Sequence, residues 1–234
     1  MAIPPIASVK WAKTHRIIRS RFPPIDLFED IADPSDWDAI LSAESKTNPR
    51  IAESVGMLDL VPDHRRVAGE GASWAMAPFV DVSTDRPSRF SDGRFGVYYA
   101  GNRVEVALFE TIHHHARFLS ATRELAGWTS DFRELTGTLD ADLNDVTDVA
   151  QFGAIYHPDD YAASQTLASD LRNQGANGMI YRSVRFPEGL AAALFWPDVV
   201  GLVKQGQHFS YYWDGTKVTQ VKNLTSGDVF AVLE

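Results

Sequence analysis

Apolar positions along this chain fall at strand-like and helix-like spacings in irregular succession, with no steady βαβ alternation. Residues 1–25 read as a loose arm that becomes a strand at 14–18 and stops at Pro23-Pro24. Residues 26–60 read as a helical, insertion-like module. Asp33-Pro34 opens a helix there, with Pro34 at a permitted first-turn position, and Trp37, Ile40 and Leu41 share one face. Asn48-Pro49 stops that helix, and a second short one covers 49–55. The centre, 68–100, reads as strand, loop, strand, broken at Pro78 and Pro87. Its last strand is Gly96-Val97-Tyr98-Tyr99-Ala100. Gly101-Asn102 ends it. Asn102 is placed to cap a helix over 103–119, with Glu105 three residues on. The apolar stripe of that helix is Val104, Ala107, Leu108, Ile112 and Leu119, and Glu110 and His114 lie together to one side of it.

The second half predicts a strand at 136–139 followed by loop, then a helix over 161–173 capped by Asp159-Asp160 and closed by Gly175. Met179-Ile180-Tyr181 forms a short strand ending at Arg182-Ser183. Residues 191–195 form another, stopped by Pro197. Residues 207–213 and 217–221 make a terminal hairpin around Asp214-Gly215. No linker or repeat divides the chain, so the expectation is one domain over 1–234, α/β in the irregular, α+β sense.

Bulk properties narrow the function. With 234 residues, 44% of them hydrophobic, the chain can bury a core without staples. It has no cysteine, which excludes disulfides, thiol catalysis and cysteine–metal sites. A net charge of -9 lacks the electrostatic footprint of a nucleic-acid binder. No apolar run approaches the ~18–20 residues that span a membrane. The start, MAIPPIASVKW, does not read as a signal peptide. A soluble, cytoplasmic protein is expected.

Candidate chemistry concentrates in residues 89–110, RFSDGRFGVYYAGNRVEVALFE. Glu110 falls two turns into its helix, so its side chain points back toward the strand end and the loop carrying Arg89. A carboxylate facing guanidinium groups and phenols, Tyr99 among them, is the layout of a small-molecule site, although taken alone such a corner is more often a structural ion pair. The triplet His113-His114-His115 does not read as a metal site, because consecutive helical residues point in three directions. It reads as a partly exposed helix end with one buried histidine. Arg89 and Arg94 are candidates for holding phosphates, or are a solvated turn. Ser183 lies outside any GxSxG elbow and on its own reads as structural. Arg16 belongs to a basic cluster with Arg19 and Arg21.

Together these segments resemble the RES domain family, named for an arginine, a glutamate and a serine spread along the domain. The matching residues are Arg16 in THRIIRSRFPP, Glu110 in EVALFET and Ser183 in GMIYRSVR. The blocks SRFSDGRFGVYYA, ALFETIHHHARFL, YAASQTLASDLRNQGANGMIYRSVR and LFWPDVV carry the resemblance over roughly residues 14–213. The resemblance implies a fold similar to the ADP-ribosyltransferase toxins, with a NAD cleft between two small sheets. It implies the toxin of a bacterial toxin–antitoxin pair, one that consumes NAD as substrate by cleaving the nicotinamide–ribose bond and needs no metal. The acceptor of ADP-ribose would be phosphate, water or a protein side chain. Glu110 would stabilise the developing oxocarbenium, Arg16 and Arg89 would hold the pyrophosphate, and Tyr99 would stack on nicotinamide or ribose. Ser183 would orient the ligand, and His114 would support Glu110. The implied partner is an antitoxin, a small helix-turn-helix protein of Xre type whose C-terminal part blocks the cleft, in a hetero-oligomer with the toxin. Transfer of ADP-ribose to a cell protein, and a non-catalytic NAD- or partner-binding module, are the alternatives.

Overall fold

The computed structural model describes residues 3–23, 28–29, 33–46 and 55–232. Two long strands organise it. β1 (Ile6–Arg19) and β3 (Thr129–Asp145) pair antiparallel from Ile6↔Asn144 to Arg19↔Phe132, with a register shift between Trp11 and Thr14. Five further strands, Tyr98–Gly101 (β2), Gly178–Arg182 (β4), Leu190–Leu194 (β5), Lys204–Trp213 (β6) and Val218–Asn223 (β7), join the same network, with a last short one, Val229–Ala231 (β8). The order is β1-β2-β5-β4-β3-β6-β7-β8, closed on itself by the β1–β3 pairing. The first part of β3 pairs with β6; its last residues pair in parallel with β4. The two small sheets expected are thus two wings of one network that share β1 and β3.

Helices cover the wings. α1 (Trp37–Glu44) buries Trp37 against Phe28. α2 (Ala72–Val80) packs Ala72, Ala75, Met76 and Phe79 into the same cluster as Tyr98, Leu135 and Leu139. α3 (Val104–Ser120) lays Ala107 and Leu119 on Ile17, Phe132 and Tyr211, with Val104, Leu108 and Ile112 at its margin, as its stripe predicts. The single-turn α4 (Val149–Phe152) and the longer α5 (Ala162–Asn173) enclose a third cluster around Phe90, Tyr181 and Phe195. β1 and β2 touch at one residue pair only, His15↔Gly101. Beyond it they diverge beneath α3, and that gap is the place for a site.

Several expectations need correction. β1 and β3 extend well beyond 14–18 and 136–139. Residues 72–80, expected as strand, are helix. Pro78 removes one helical hydrogen bond there, but apolar residues at 72, 75, 76, 79 and 80 bury one continuous face, and that burial decides the local structure. Asn102 does not cap α3. Arg103 sits at the N-cap in extended conformation, and Asn102 Oδ1 instead accepts the Leu190 N–H at 2.9 Å, joining β2 to β5. Glu105 receives Arg103 Nη2 at 3.2 Å rather than closing a capping box. The helix stop at Asn48-Pro49 and the helix over 49–55 lie outside the described residues.

One buried histidine does occur at the end of α3. His115 is 6% exposed, set edge-on to Phe132 with its Nδ1 3.5 Å from Arg19 Nη1. Burial first, then the Arg19 charge, lowers its pKa to about 4. In the unfolded chain it titrates near 6.5. The unfolded state therefore binds the extra proton first, and stability present above pH ~6.5 is lost as pH falls toward ~4. The shift corresponds to about 3 kcal/mol. Urea unfolding at pH 7 and pH 4.5 should show a loss that His115→Leu reduces by about that amount. Equal pH dependence in both proteins would contradict the burial argument.

Candidate active site

A cavity of about 230 Å³ fills the gap between β1 and β2 under α3. Arg16, Arg89, Tyr99, Glu110, His114 and Tyr181 line it, with Ala100, Gly101, Ala107 and Ala191 as small apolar walls. It shares Arg16, Ser88, Tyr99, Thr111 and His114 with a wider groove of about 1340 Å³. The inner cavity alone is smaller than the ~300–1,000 Å³ of ordinary ligand sites; with the groove there is room for a dinucleotide.

Glu110 projects from the end of the second turn of α3 and is hydrogen-bonded by Ser183. Ser183 is 2% exposed and follows the last residue of β4. Its Oγ donates to Glu110 Oε1 at 2.9 Å and accepts the Phe186 N–H at 3.0 Å. Its donor and one acceptor lone pair are thus engaged by the protein itself, and Ser183 meets Glu110 without lining the cavity. No ion pair joins Glu110 to an arginine among the described residues, so the structural ion-pair reading of the Arg/Tyr/Glu corner does not hold. The nearest basic group is His114 Nε2, 4.0 Å from Oε2. His114 stands at the rim, its side chain 57% exposed. Partial burial, then the charges of Arg185, Arg89 and Arg117, hold its pKa below the usual histidine value, so it is neutral at pH 7.

The loop carrying Arg89 is clamped from both sides. Tyr99 Oη accepts the Phe90 N–H at 3.0 Å and lies 2.9 Å from Ser88 Oγ, to which it is free to donate. Burial raises this phenol to about 12, so it stays neutral. From α5, Ser164 Oγ donates to Arg89 O at 2.6 Å and Gln165 Nε2 to Ser88 O at 2.9 Å. The Arg89 side chain is itself fixed: Nη1 donates to Ile155 O and His157 O, at 3.0 and 2.8 Å, and the guanidinium lies 4.7 Å above the Tyr161 ring.

Arg16 reaches the cavity from β1. Its Nη1 donates to Tyr99 O at 3.1 Å and its guanidinium covers the Tyr98 ring at 4.7 Å. Burial pulls its pKa below the ordinary arginine value. Among the described residues neither Arg16 nor Arg89 has a carboxylate partner, although the chain carries 31 acidic against 22 basic residues. Buried Arg89 and half-buried Arg16, left without a carboxylate among the described residues in one cavity, favour an anionic ligand. Of the neighbouring arginines, Arg19, over Phe132, and Arg21, over Phe22, line the wider groove and not the inner cavity, while Arg94 is an exposed partner of Asp92 at 2.6 Å. For Arg94 the solvated-turn reading holds.

The structure thus brings Arg16, Arg89, Tyr99, Glu110 and His114 to one cavity, with Ser183 bonded to Glu110. Sequence reasoning missed Tyr181 on the wall and Ser88 beneath Tyr99. Tyr181 was legible, because it stands two residues before Ser183 and a strand repeats its faces every two residues. Among the described residues no group of three His, Cys, Asp or Glu side chains is placed to hold a metal ion, and no helix is long and apolar enough to cross a membrane.

The sequence pattern of the RES domain matches residues 64–214 of the chain. The chain belongs to the RES domain family. Within that match fall Arg89, Tyr99, Glu110, His114 and Ser183; Arg16 lies before it. A relative from Sinorhizobium fredii, the uncharacterized protein y4oC, is 28% identical over 207 residues, which cover 88% of this chain and 84% of that protein. Among solved structures, the chain is similar to one from the M. tuberculosis MbcT-MbcA toxin-antitoxin complex. That likeness has a TM-score of 0.45 and 12% identity, over 88% of this chain and 87% of the other. It is too distant to carry function across.

Proposed function

We propose that this RES domain protein is the toxin of a toxin–antitoxin pair and degrades NAD by cleaving its nicotinamide–ribose bond, passing ADP-ribose to phosphate or water. The observation that supports this best is the charge arrangement in the cavity. Among the described residues, buried Arg89 and half-buried Arg16 have no carboxylate partner, and they share the cavity with one carboxylate that has no arginine partner. A ligand with a pyrophosphate at one end and a developing positive charge at the other matches that arrangement.

In this reading Arg89 and Arg16 bind the pyrophosphate, Arg89 being the one inside the family match. Tyr99 forms a neutral aromatic wall for nicotinamide or ribose. When the C1′–N bond breaks, its electron pair moves to the nicotinamide nitrogen and neutralises the ring, so no proton donor is needed. Positive charge develops on the ribosyl carbon and ring oxygen, and the Glu110 carboxylate stabilises it. An oxygen of the acceptor then bonds to C1′ and its proton passes to solvent. Ser183 keeps Glu110 in place, and neutral His114 leaves the carboxylate charge uncompensated. NAD is the substrate, and no separate cofactor takes part. The antitoxin partner, a small Xre-type protein blocking the cleft, and the cytoplasmic setting rest on the family resemblance.

Mass analysis of products from purified protein, NAD and either phosphate or phosphate-free buffer tests the acceptor. Free ADP-ribose or its phosphate ester, with matching nicotinamide, is expected. ADP-ribose recovered instead as a mass gain on a protein would replace this reading with a protein-modifying transferase.

A further inference from the structure

Tyr181 has one atom that the fold leaves unused. The residue is 4% exposed, lines the cavity, and packs edge-on against Phe90 with ring centres 4.8 Å apart. Its hydroxyl has no hydrogen-bond partner among the described residues. It is also not one of the sealed polar atoms without partners, such as Trp37 Nε1 and Trp213 Nε1, so it remains accessible. Since the residue around it is buried, the cavity is where that access lies. Buried phenols almost always find a partner, and one left open on a cavity wall marks a place where a ligand group sits.

The chemistry of that group follows from the neighbours. Burial first, then the nearby Glu110 carboxylate, raises the Tyr181 pKa well above 10, so the hydroxyl is a neutral donor at working pH. Glu110 is an acceptor, and Ser183 occupies only its Oε1. A group that donates to Glu110 and accepts from Tyr181 must do both at once, as a hydroxyl or a carboxamide does and a ring nitrogen does not; of these two, ADP-ribose keeps only the hydroxyl. We infer that Tyr181 is a substrate-binding residue whose hydroxyl donates to a ribosyl hydroxyl held by Glu110. The inference rests on the NAD reading and deepens it, making the nicotinamide-side ribose the part recognised at this end of the cavity.

Calorimetry of ADP-ribose and of ADP, on wild type and Tyr181→Phe, tests it, since ADP lacks that ribose. The phenyl ring keeps the Phe90 contact, so the variant folds with an unchanged thermal midpoint. Loss of one hydrogen bond should weaken ADP-ribose binding about tenfold and leave ADP binding unchanged. Unchanged ADP-ribose affinity, or equal weakening for both ligands, would overturn the Tyr181 assignment alone. A wild-type protein that binds ADP but not ADP-ribose would overturn the NAD reading, and this inference with it.

Discussion

Replacing Glu110 by Gln is expected to slow NAD cleavage by about 10³-fold while the protein folds normally. The amide is isosteric, and its oxygen can still accept the Ser183 Oγ–H that holds the side chain. Only the charge is lost. A unit charge about 4 Å from a developing cation is worth roughly 4 kcal/mol at an effective dielectric of 20, which is about three decades in rate. Binding in the ground state changes much less, because the ribose carries no full positive charge before the bond breaks. The expected signature is therefore a fall in kcat with KM within a few-fold of wild type, read by nicotinamide release at saturating NAD. A variant retaining a tenth or more of wild-type kcat would remove Glu110 from the chemistry.

Phe90→Ala is expected to cause the largest loss of stability near the site. Phe90 is fully buried. It stacks at 6.3 Å on Tyr99 and meets Tyr181 edge-on, so it supports two cavity walls at once. Truncating a buried phenylalanine costs about 3–5 kcal/mol, which in a chain of this length lowers Tm by roughly 10 °C. Released from below, Tyr99 and Tyr181 can turn into the vacated space, and affinity for ligand should fall as well. Phe118→Ala is the control: that ring is 57% exposed, and its loss should change stability by less than about 0.5 kcal/mol. Similar Tm shifts for both variants would show that the Phe90 cluster does not set the stability of the site.

Elements with strong local signals were legible in the sequence. The αL glycine at Gly175 closes α5 where expected, and Asp214 accepts the N–H groups of Thr216 and Lys217 in the turn between β6 and β7. The apolar stripe of α3 was read nearly residue for residue. The long strands were read too short because their outward positions are charged. Lys10 and Lys13 on β1, and Asp140 and Asp142 on β3, conceal the buried Val9, Thr14, Leu139 and Leu143 between them. Residues 72–80 were misread because Pro78 was weighed above the apolar spacing around it.

The same contrast holds for the site. Arg89, Tyr99, Glu110 and His114 lie within 26 residues, and one loop–strand–helix unit brings them together, so helix and strand geometry sufficed to group them. Arg16 and Ser183 arrive from distant strands, and nothing local in their own segments links them to Glu110. Only the family resemblance joined them to it. The absence, among the described residues, of a carboxylate partner for Arg16 and Arg89 and of a hydrogen-bond partner for the Tyr181 hydroxyl are tertiary facts that no one-dimensional pattern encodes.

The central claim is that this cavity breaks the nicotinamide–ribose bond through Glu110. Nicotinamide released over time from NAD by purified wild-type protein and by Glu110→Gln, in the same buffer with phosphate, tests it most directly. Steady release by wild type and release about 10³-fold slower by the variant are expected, with both proteins folded and both binding NAD. No release by a folded wild-type protein free of any bound partner, or equal release by the two proteins, would contradict it.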